Sequence, residues 1–293
     1  MYEQTTCPVC GGNNFALHLT THDFHLTGEE FALQSCTNCG LLVTSPRPED
    51  SQLMNYYQSA DYISHTGRGT NLVNRLYLLA RRFTLRQKVR LINRLAGNGA
   101  VLDFGCGTGG FLNQAERMGW VTYGVEPSEP ARSVALRSQD RIYADLKSCP
   151  ALNVDAITLW HVLEHLPDPN ATLDQLRNKL SRTGTIFIAV PNVKSYDGLH
   201  YGAYWAGLDV PRHLWHFNQR AMTTLLGKHA LKPEAVVPMK LDSYYVSLLS
   251  EKYLANGKLS LPSFFRAAKT GHHSNRAARK STEYSSLIYV AKK

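Results

Sequence analysis

The chain has 293 residues, 43% of them hydrophobic, and carries 32 Lys and Arg against 23 Asp and Glu, for a net charge of +9. That length buries one full core with room for a small accessory module, and no run of about 18 apolar residues is present, which excludes a membrane-spanning helix. The opening MYEQTTCPVC has neither a basic nor an apolar leader region, so the expectation is a cytoplasmic chain of two domains without integral membrane contact.

Residues 1–46 read as a ribbon. Cys7-Pro-Val-Cys10-Gly and Cys36-Thr-Asn-Cys39-Gly are matching C-x-x-C knuckles separated by 25 residues, and FALHL and FALQSC between them supply hairpin strands. Four thiolates suit tetrahedral zinc, and a four-cysteine site leaves no open coordination position, so the metal is expected to be structural. A redox or disulfide pairing is the alternative; Cys106 and Cys149 lie apart from the knuckles, which favours metal in a reducing compartment.

Residues 47–98 read as a linker and a basic helical segment. Turn-forming prolines lead into Tyr56, Tyr57 and Tyr62, which either line a pocket or simply pack. No acid occurs between Asp61 and Asp103, while Arg68, Arg75, Arg81, Arg82, Arg86, Lys88, Arg90 and Arg94 do. Such a run either meets a phosphate-bearing partner or is the solvated face of a helix whose buried stripe is Leu72, Leu76, Leu79, Leu85, Val89 and Ile92.

From residue 99 onward, apolar runs alternate with helical segments: strands near Ala100–Phe104, Val121–Glu126, Arg141–Ala144, Asp155–Trp160 and Thr185–Val190, helices near Phe111–Met118 and Asn170–Leu180. Alternation of this kind predicts a parallel α/β sheet. The first strand breaks into VLDFGCGTGG, where Gly105, Gly107 and Gly109 can take positive φ and let backbone approach a ligand closely. Gly105, Gly107 and Gly110 also satisfy the dinucleotide pattern G-x-G-x-x-G, and a turn of this kind can merely pack a helix on a strand. Asp103 is the discriminating residue, because a carboxylate there repels a pyrophosphate and attracts a cationic amino-acid end. Glu126 ends the next strand, 21 residues after Gly105, where an acid accepts hydrogen bonds from ribose hydroxyls, and Asp145 ends the one after, within reach of an adenine amino group.

The order D-x-G-x-G-x-G, then E, then D-L resembles the class I S-adenosylmethionine-dependent methyltransferases, from about Ala100 to the C-terminus. The resemblance implies a Rossmann-like seven-stranded sheet with helices on both faces, and a last strand, YSSLIYVAKK, that is antiparallel. It implies S-adenosylmethionine as cofactor and S-adenosylhomocysteine as product. The cofactor would be held by Asp103, Gly105, Cys106, Gly107, Gly109, Glu126, Pro127, Asp145, Leu146, Trp160 and His161.

In DAITLWHVLEHLPDP, Trp160 and His161 fall at a strand end, with Glu164 and His165 about a helical turn further on. If that segment is helical, His161 and His165 can share a metal. The stretch is similar to the V-L-E-H-x-x-D-P signature of small-molecule methyltransferases like the ubiquinone O-methyltransferases, where the histidine is a pocket residue. A predicted lid, residues 192–218, is crowded with aromatics and histidines. Its core, PRHLWHF, resembles a segment of zinc-ribbon methyltransferases associated with glycans and secondary metabolites. It is also similar to an acid-His segment of sugar C-methyltransferases, from which Arg212 departs.

His213 is the expected general base, with His165 and His161 as further catalytic candidates; the alternative for His213 is a ring held by a backbone carbonyl that only shapes the loop. Arg212 either holds a substrate phosphate or carboxylate or pairs with Asp209. Tyr204, Trp205 and His216 are expected to contact substrate, with Trp215 as a further apolar wall. Residues 242–282 form a C-terminal insertion compatible with completing the pocket, touching a membrane surface or partial disorder.

Expected overall is an O-methyltransferase acting on a small-molecule substrate such as a sugar nucleotide, glycan unit or secondary metabolite. The alternatives are an RNA methyltransferase whose ribbon and arginine helix bind phosphates, and a cofactor-binding scaffold without turnover. Against RNA, residues 1–46 contain no lysine or arginine, and no N-P-P-Y tetrad follows the fourth strand.

Overall fold

A computed structural model describes residues 1–57, 72–150 and 153–293, with the side chains of 72–81 excluded. The expectations for Tyr62 and Arg68, and for the side chains of Leu72, Arg75, Leu76, Leu79 and Arg81, lie outside the described residues. In chain order the elements are β1 (Phe15–His22), β2 (Glu30–Cys36), β3 (Leu42–Thr44), α1 (Leu72–Ala96), β4 (Ala100–Phe104), α2 (Gly110–Glu116), β5 (Val121–Val125) and α3 (Glu129–Ala135). There follow β6 (Ile142–Tyr143), β7 (Val154–Trp160), α4 (Pro169–Lys179), β8 (Leu180–Pro191), α5 (Tyr196–Tyr201), β9 (Trp215–His216) and α6 (Gln219–Lys228). The chain ends with β10 (Lys232–Pro238), α7 (Asp242–Leu254), α8 (Leu261–Ser281) and β11 (Ser286–Lys292).

The strands form two sheets, a four-stranded one ordered β1-β2-β3-β9 and a seven-stranded one ordered β10-β11-β8-β7-β4-β5-β6 with one antiparallel edge. The chain divides into two compact units. One comprises residues 1–57, 163–170 and 189–289; the other comprises the described residues of 58–162, with 171–188 and 290–293. This division differs from the boundaries expected at residues 46 and 98. The ribbon is not separate from the lid, because β3 pairs antiparallel with β9 through Leu42↔His216 and Val43↔Trp215.

In the second unit, β4 lies between β5 and β7 and is parallel to both, with Asp103 opposite Gly124 on one side and Thr158 on the other. Sheet order reverses across β4, and a ligand crevice opens at the carboxyl end of strands flanking such a switch point. Val101, Leu102, Ala156, Ile157 and Leu159 are fully buried, the continuous apolar pattern of strands covered on both faces. Along α1, Val89, Leu91 and Ile92 are buried while Arg82, Arg86, Arg90 and Arg94 are exposed, so the arginines occupy a solvated face.

In the first unit, the segment 242–282 is two helices, which corrects the reading of partial disorder. Their buried faces are mostly small residues: Ser243, Ser247 and Ser250 on α7, with Glu251 as the one buried acid, and Ser263, Ala267, Thr270, Gly271, Ser274 and Ala278 on α8. A Cβ on Gly271 would sit 2.9 Å from the Tyr244 Cα, so glycine is what lets the two backbones approach.

Candidate active site

The glycine turn of the second unit has the conformation that its residues demand. Gly105, Gly107 and Gly109 have φ of 77°, 54° and 76°. A Cβ on Gly105 would lie 2.5 Å from Val162, whereas one on Gly107 would meet nothing within 4 Å, which leaves the turn open at the position where backbone would face a ligand. Glu126 ties this turn to β5, accepting hydrogen bonds from the Gly107 and Ser128 N–H groups, each at 2.8 Å. A carboxylate has about four lone-pair sites, so two remain for ribose hydroxyls.

Asp103 is 2% exposed and accepts a hydrogen bond from the Thr158 hydroxyl at 2.6 Å. Burial pushes its carboxyl up to about 7, against the pull of Thr158 and Lys88 and with the push of Glu126. The Lys88 ammonium lies 4.4 Å from the centre of the Trp160 ring, and Phe111 meets that ring edge-on at 5.4 Å. Cys106 and Leu146 are buried, Pro127 is exposed, and Asp145 is exposed with one carboxylate oxygen accepting the Ser148 N–H at 2.7 Å. The donor set fits S-adenosylmethionine: a buried carboxylate for an ammonium, a second one for a ribose, and a turn with room for close approach.

The histidines of the first unit divide by environment. His165 is held by the carbonyl oxygen of Arg212, 3.0 Å from its Nδ1, with the Tyr57 hydroxyl at 3.0 Å. A carbonyl accepts only, so the proton sits on Nδ1 and the lone pair on Nε2. Burial, with the neighbouring His213, pushes His165 down to about 4, and it stays neutral. His213 donates from Nδ1 to the Gly207 carbonyl oxygen at 2.9 Å, and its Nε2 lies 4.0 Å from the Asp209 carboxylate. Burial opposes the charge on Asp209, yet Arg212 holds that carboxyl below its usual range. His216 is buried against the Thr44 hydroxyl at 3.0 Å, and burial pushes it well below the usual imidazole range, so it is a packing residue of β9 and not a substrate contact.

His161 and His165 do not share a helix. His161 has a left-handed φ of 58°, and residues Leu163–His165 form a single 3-10 turn. Among the described residues, two groupings have metal-ligating atoms within 4.8 Å of one another, the four knuckle cysteines and the set of Glu164, His165 and His213, and neither includes His161.

With this geometry in place, a family profile described as a methyltransferase domain, Methyltransf_23, matches residues 78–235. The chain belongs to this methyltransferase family. It is similar to a ubiquinone biosynthesis O-methyltransferase of Haemophilus ducreyi, 26% identical over 181 residues that cover 55% of this chain and 74% of that protein. A protein of the same name from Pectobacterium carotovorum is 30% identical over 125 residues, 38% of this chain and about half, 52%, of its own length. In fold, it is similar to magnesium protoporphyrin IX methyltransferase from Synechocystis with bound S-adenosylhomocysteine (TM-score 0.52, 15% identity, 84% of this chain and 100% of that one). Geranyl diphosphate C-methyltransferase from Streptomyces coelicolor gives a TM-score of 0.50 at 14% identity, over 80% and 86% of the two chains. The fold is that of class I S-adenosylmethionine-dependent methyltransferases.

In this methyltransferase, Arg212 does not present its fork to a substrate. It is 1% exposed, with Nε and one terminal nitrogen on Asp209 at 3.0 and 2.7 Å, the same nitrogen on Asp23 at 2.8 Å, and the other on the Tyr56 carbonyl oxygen. Asp23, absent from the sequence reading because it lies 189 residues away, also accepts the N–H groups of His25, Leu26 and Thr27. Asp23→Ala would leave Arg212 on Asp209 alone and strip the His25, Leu26 and Thr27 N–H groups of their acceptor, so it is expected to destabilise the protein by about 1–3 kcal/mol. Thermal unfolding checks this; an unchanged midpoint would remove the pair from the stability of the unit.

Trp205 is likewise a core residue, 2% exposed, packed with Phe31, Leu33 and Leu208 and donating from Nε1 to Asp197 at 2.9 Å. Tyr204 is the exposed member of the expected set, stacked on Phe24 at 5.1 Å, and Phe24 stacks in turn on Tyr253 at 5.0 Å. Phe24 and Tyr253 carry no motif that would have marked them. Tyr56 donates to Glu29 at 2.6 Å and Trp215 donates to the Leu166 carbonyl oxygen at 2.7 Å, both structural contacts.

The four knuckle cysteines converge. Their Sγ atoms all lie within 4.8 Å of one another, with Cys7 to Cys39 at 3.6 Å and Cys10 to Cys36 at 3.5 Å. A tetrahedron of sulfurs at the usual zinc distance has edges of about 3.8 Å, so the set fits zinc. Each knuckle closes through the glycine after its second cysteine: Gly11 and Gly40 have φ of 73° and 75° and donate to Cys7 and Cys36 carbonyl oxygens.

Proposed function

We propose that this methyltransferase transfers the methyl group of S-adenosylmethionine to a hydroxyl oxygen of a small molecule, with His213 as general base and the four cysteines holding one structural zinc. The observation that carries the base assignment is His213 Nε2 facing the Asp209 carboxylate; the Nδ1 contact to the Gly207 carbonyl, which a loop-shaping ring would also make, sets the tautomer. O-methylation is supported by the names of the curated relatives. The acceptor class, a sugar nucleotide, glycan unit or secondary metabolite, is supported by the PRHLWHF segment.

The cofactor supplies a methyl already activated on a sulfonium, so alignment is the task left to the protein. Asp103 would bind the amino-acid end and Glu126 the ribose, fixing one reactant. His213 Nε2 would take the acceptor hydroxyl proton as the oxygen attacks, and the imidazolium so formed would face Asp209. His165 is too acidic an imidazolium for that role, and His216 is committed to Thr44.

Incubation of methyl-labelled cofactor with nucleotide sugars, a metabolite extract and RNA in parallel tests the reading. Label on oxygen of a small-molecule product is expected; label in RNA alone overturns it. With that product in hand, His213→Ala is expected to slow turnover by about 10²–10⁴-fold while affinity for S-adenosylhomocysteine stays unchanged. Undiminished turnover would remove His213 from the mechanism.

A further inference from the structure

The C-terminal helices carry charge that the methyl-transfer reading does not use. Over its 21 residues α8 contains no acid. Arg266, in its first half, is compensated by Glu251 at 2.7 Å. Further along, His272, Arg276 and Arg279 follow at the i, i+4, i+7 spacing that places side chains on one helical face. Neither guanidinium has an ion pair among the described residues.

These three side chains line a basin of about 500 Å³ together with Lys240, Tyr244 and Tyr284, and no carboxylate is among its lining residues. The wall opposite α8 is held in place. Asn275 donates to the Lys240 carbonyl oxygen and to the Ser243 hydroxyl, each at 2.9 Å, and Ser243 donates to the Gly271 carbonyl oxygen at 3.1 Å. A basin built this way costs little to organise when a ligand enters.

We propose that this basin is a binding site for a nucleoside diphosphate or its ester, distinct in its residues from the cofactor turn. Lys240, Arg276 and Arg279, all cationic at neutral pH and lining one basin without a carboxylate, suit the two phosphates of a diphosphate, which arginine forks grip bidentately. Two tyrosine rings beside them suit the face of a base. The volume lies within the range of about 300–1,000 Å³ typical of small-ligand pockets. The inference rests on the first unit alone and not on the methyl-transfer reading.

Titration calorimetry on the full chain with inorganic pyrophosphate, UDP and a short single-stranded RNA tests it. One pyrophosphate and one UDP per chain are expected, UDP the tighter. Arg276→Ala/Arg279→Ala should weaken both by about tenfold or more per arginine, and Tyr244→Ala should bring UDP down toward pyrophosphate. All three substituted side chains at least partly reach solvent, and unchanged affinity for S-adenosylhomocysteine shows that the variants are folded. Asp103→Asn, in turn, should leave UDP binding intact, which separates failure of this site from failure of the cofactor site. No heat with either phosphate probe, or full binding in the double arginine variant, overturns the proposal. RNA binding lost in that variant, with no UDP binding, overturns it in favour of a nucleic-acid surface.

Discussion

Asp103→Asn is expected to weaken cofactor binding and yet leave the ligand-free protein more stable above neutral pH. Burial raises the Asp103 carboxyl from its ordinary value of 3.8 to about 7, so the folded chain prefers it protonated. A raised folded value means that stability is greatest when the pH lies below the unfolded value, and is lost as pH climbs through about 7. The amide of asparagine stands in for the protonated acid and removes that loss. Cofactor binding runs the other way: an ammonium is attracted only by the ionised carboxylate. Affinity for S-adenosylmethionine should therefore rise with pH up to about 7 and flatten above it, with a proton released on binding below that point.

Loss of the charged contact should weaken binding by on the order of 10–100-fold, taking about 1.5–3 kcal/mol for a charge-assisted hydrogen bond. Glu126→Ala should weaken it comparably, and also free the Gly107 and Ser128 N–H groups that now shape the turn. Calorimetry at about pH 6 and pH 8, in buffers of differing protonation enthalpy, measures all of this. Equal affinity at both pH values in the wild type would sink the assignment of Asp103 to the cofactor's amino end.

Removing zinc is expected to have the largest structural effect. Structural zinc in small cysteine sites contributes an apparent ~10–16 kcal/mol. We expect one zinc per chain by elemental analysis. Stripping it with a strong chelator, or Cys7→Ser/Cys39→Ser, should open β1 to β3 to proteolysis. Because β3 carries β9 as its neighbour, cleavage should extend to the segment around Trp215. Metal-free protein with an unchanged melting profile would dismiss the site.

The parts of this fold that were legible in sequence are those in which local chemistry dictates conformation. The strand Ala100–Phe104 is where its apolar run places it, and the glycines of the turn adopt the positive φ for which only glycine is well suited. The helices α7 and α8 were not legible, since their buried faces are serine, alanine, threonine, glycine and the one acid Glu251, and apolar periodicity is missing from such a stripe. Arg212 shows a different limit. Its sequence neighbour Asp209 could be named as a partner, but Asp23, which completes the burial of the guanidinium, is brought there only by the fold. The same holds for the histidines: motif position could rank His213 ahead of His165 and His161 and set His216 aside for substrate, but the carbonyl, hydroxyl and carboxylate neighbours of His165, His213 and His216 appear only in the fold.

The pairing of Val43 with Trp215 changes what kind of object the ribbon is. A cysteine module at the front of a chain invites excision, as though it were luggage. Here its last strand is the edge against which the loop bearing Arg212 and His213 is laid, so a truncated chain would forfeit the scaffold of its own histidine loop. Any evolutionary or engineered exchange of the ribbon would have to bring a replacement strand with it.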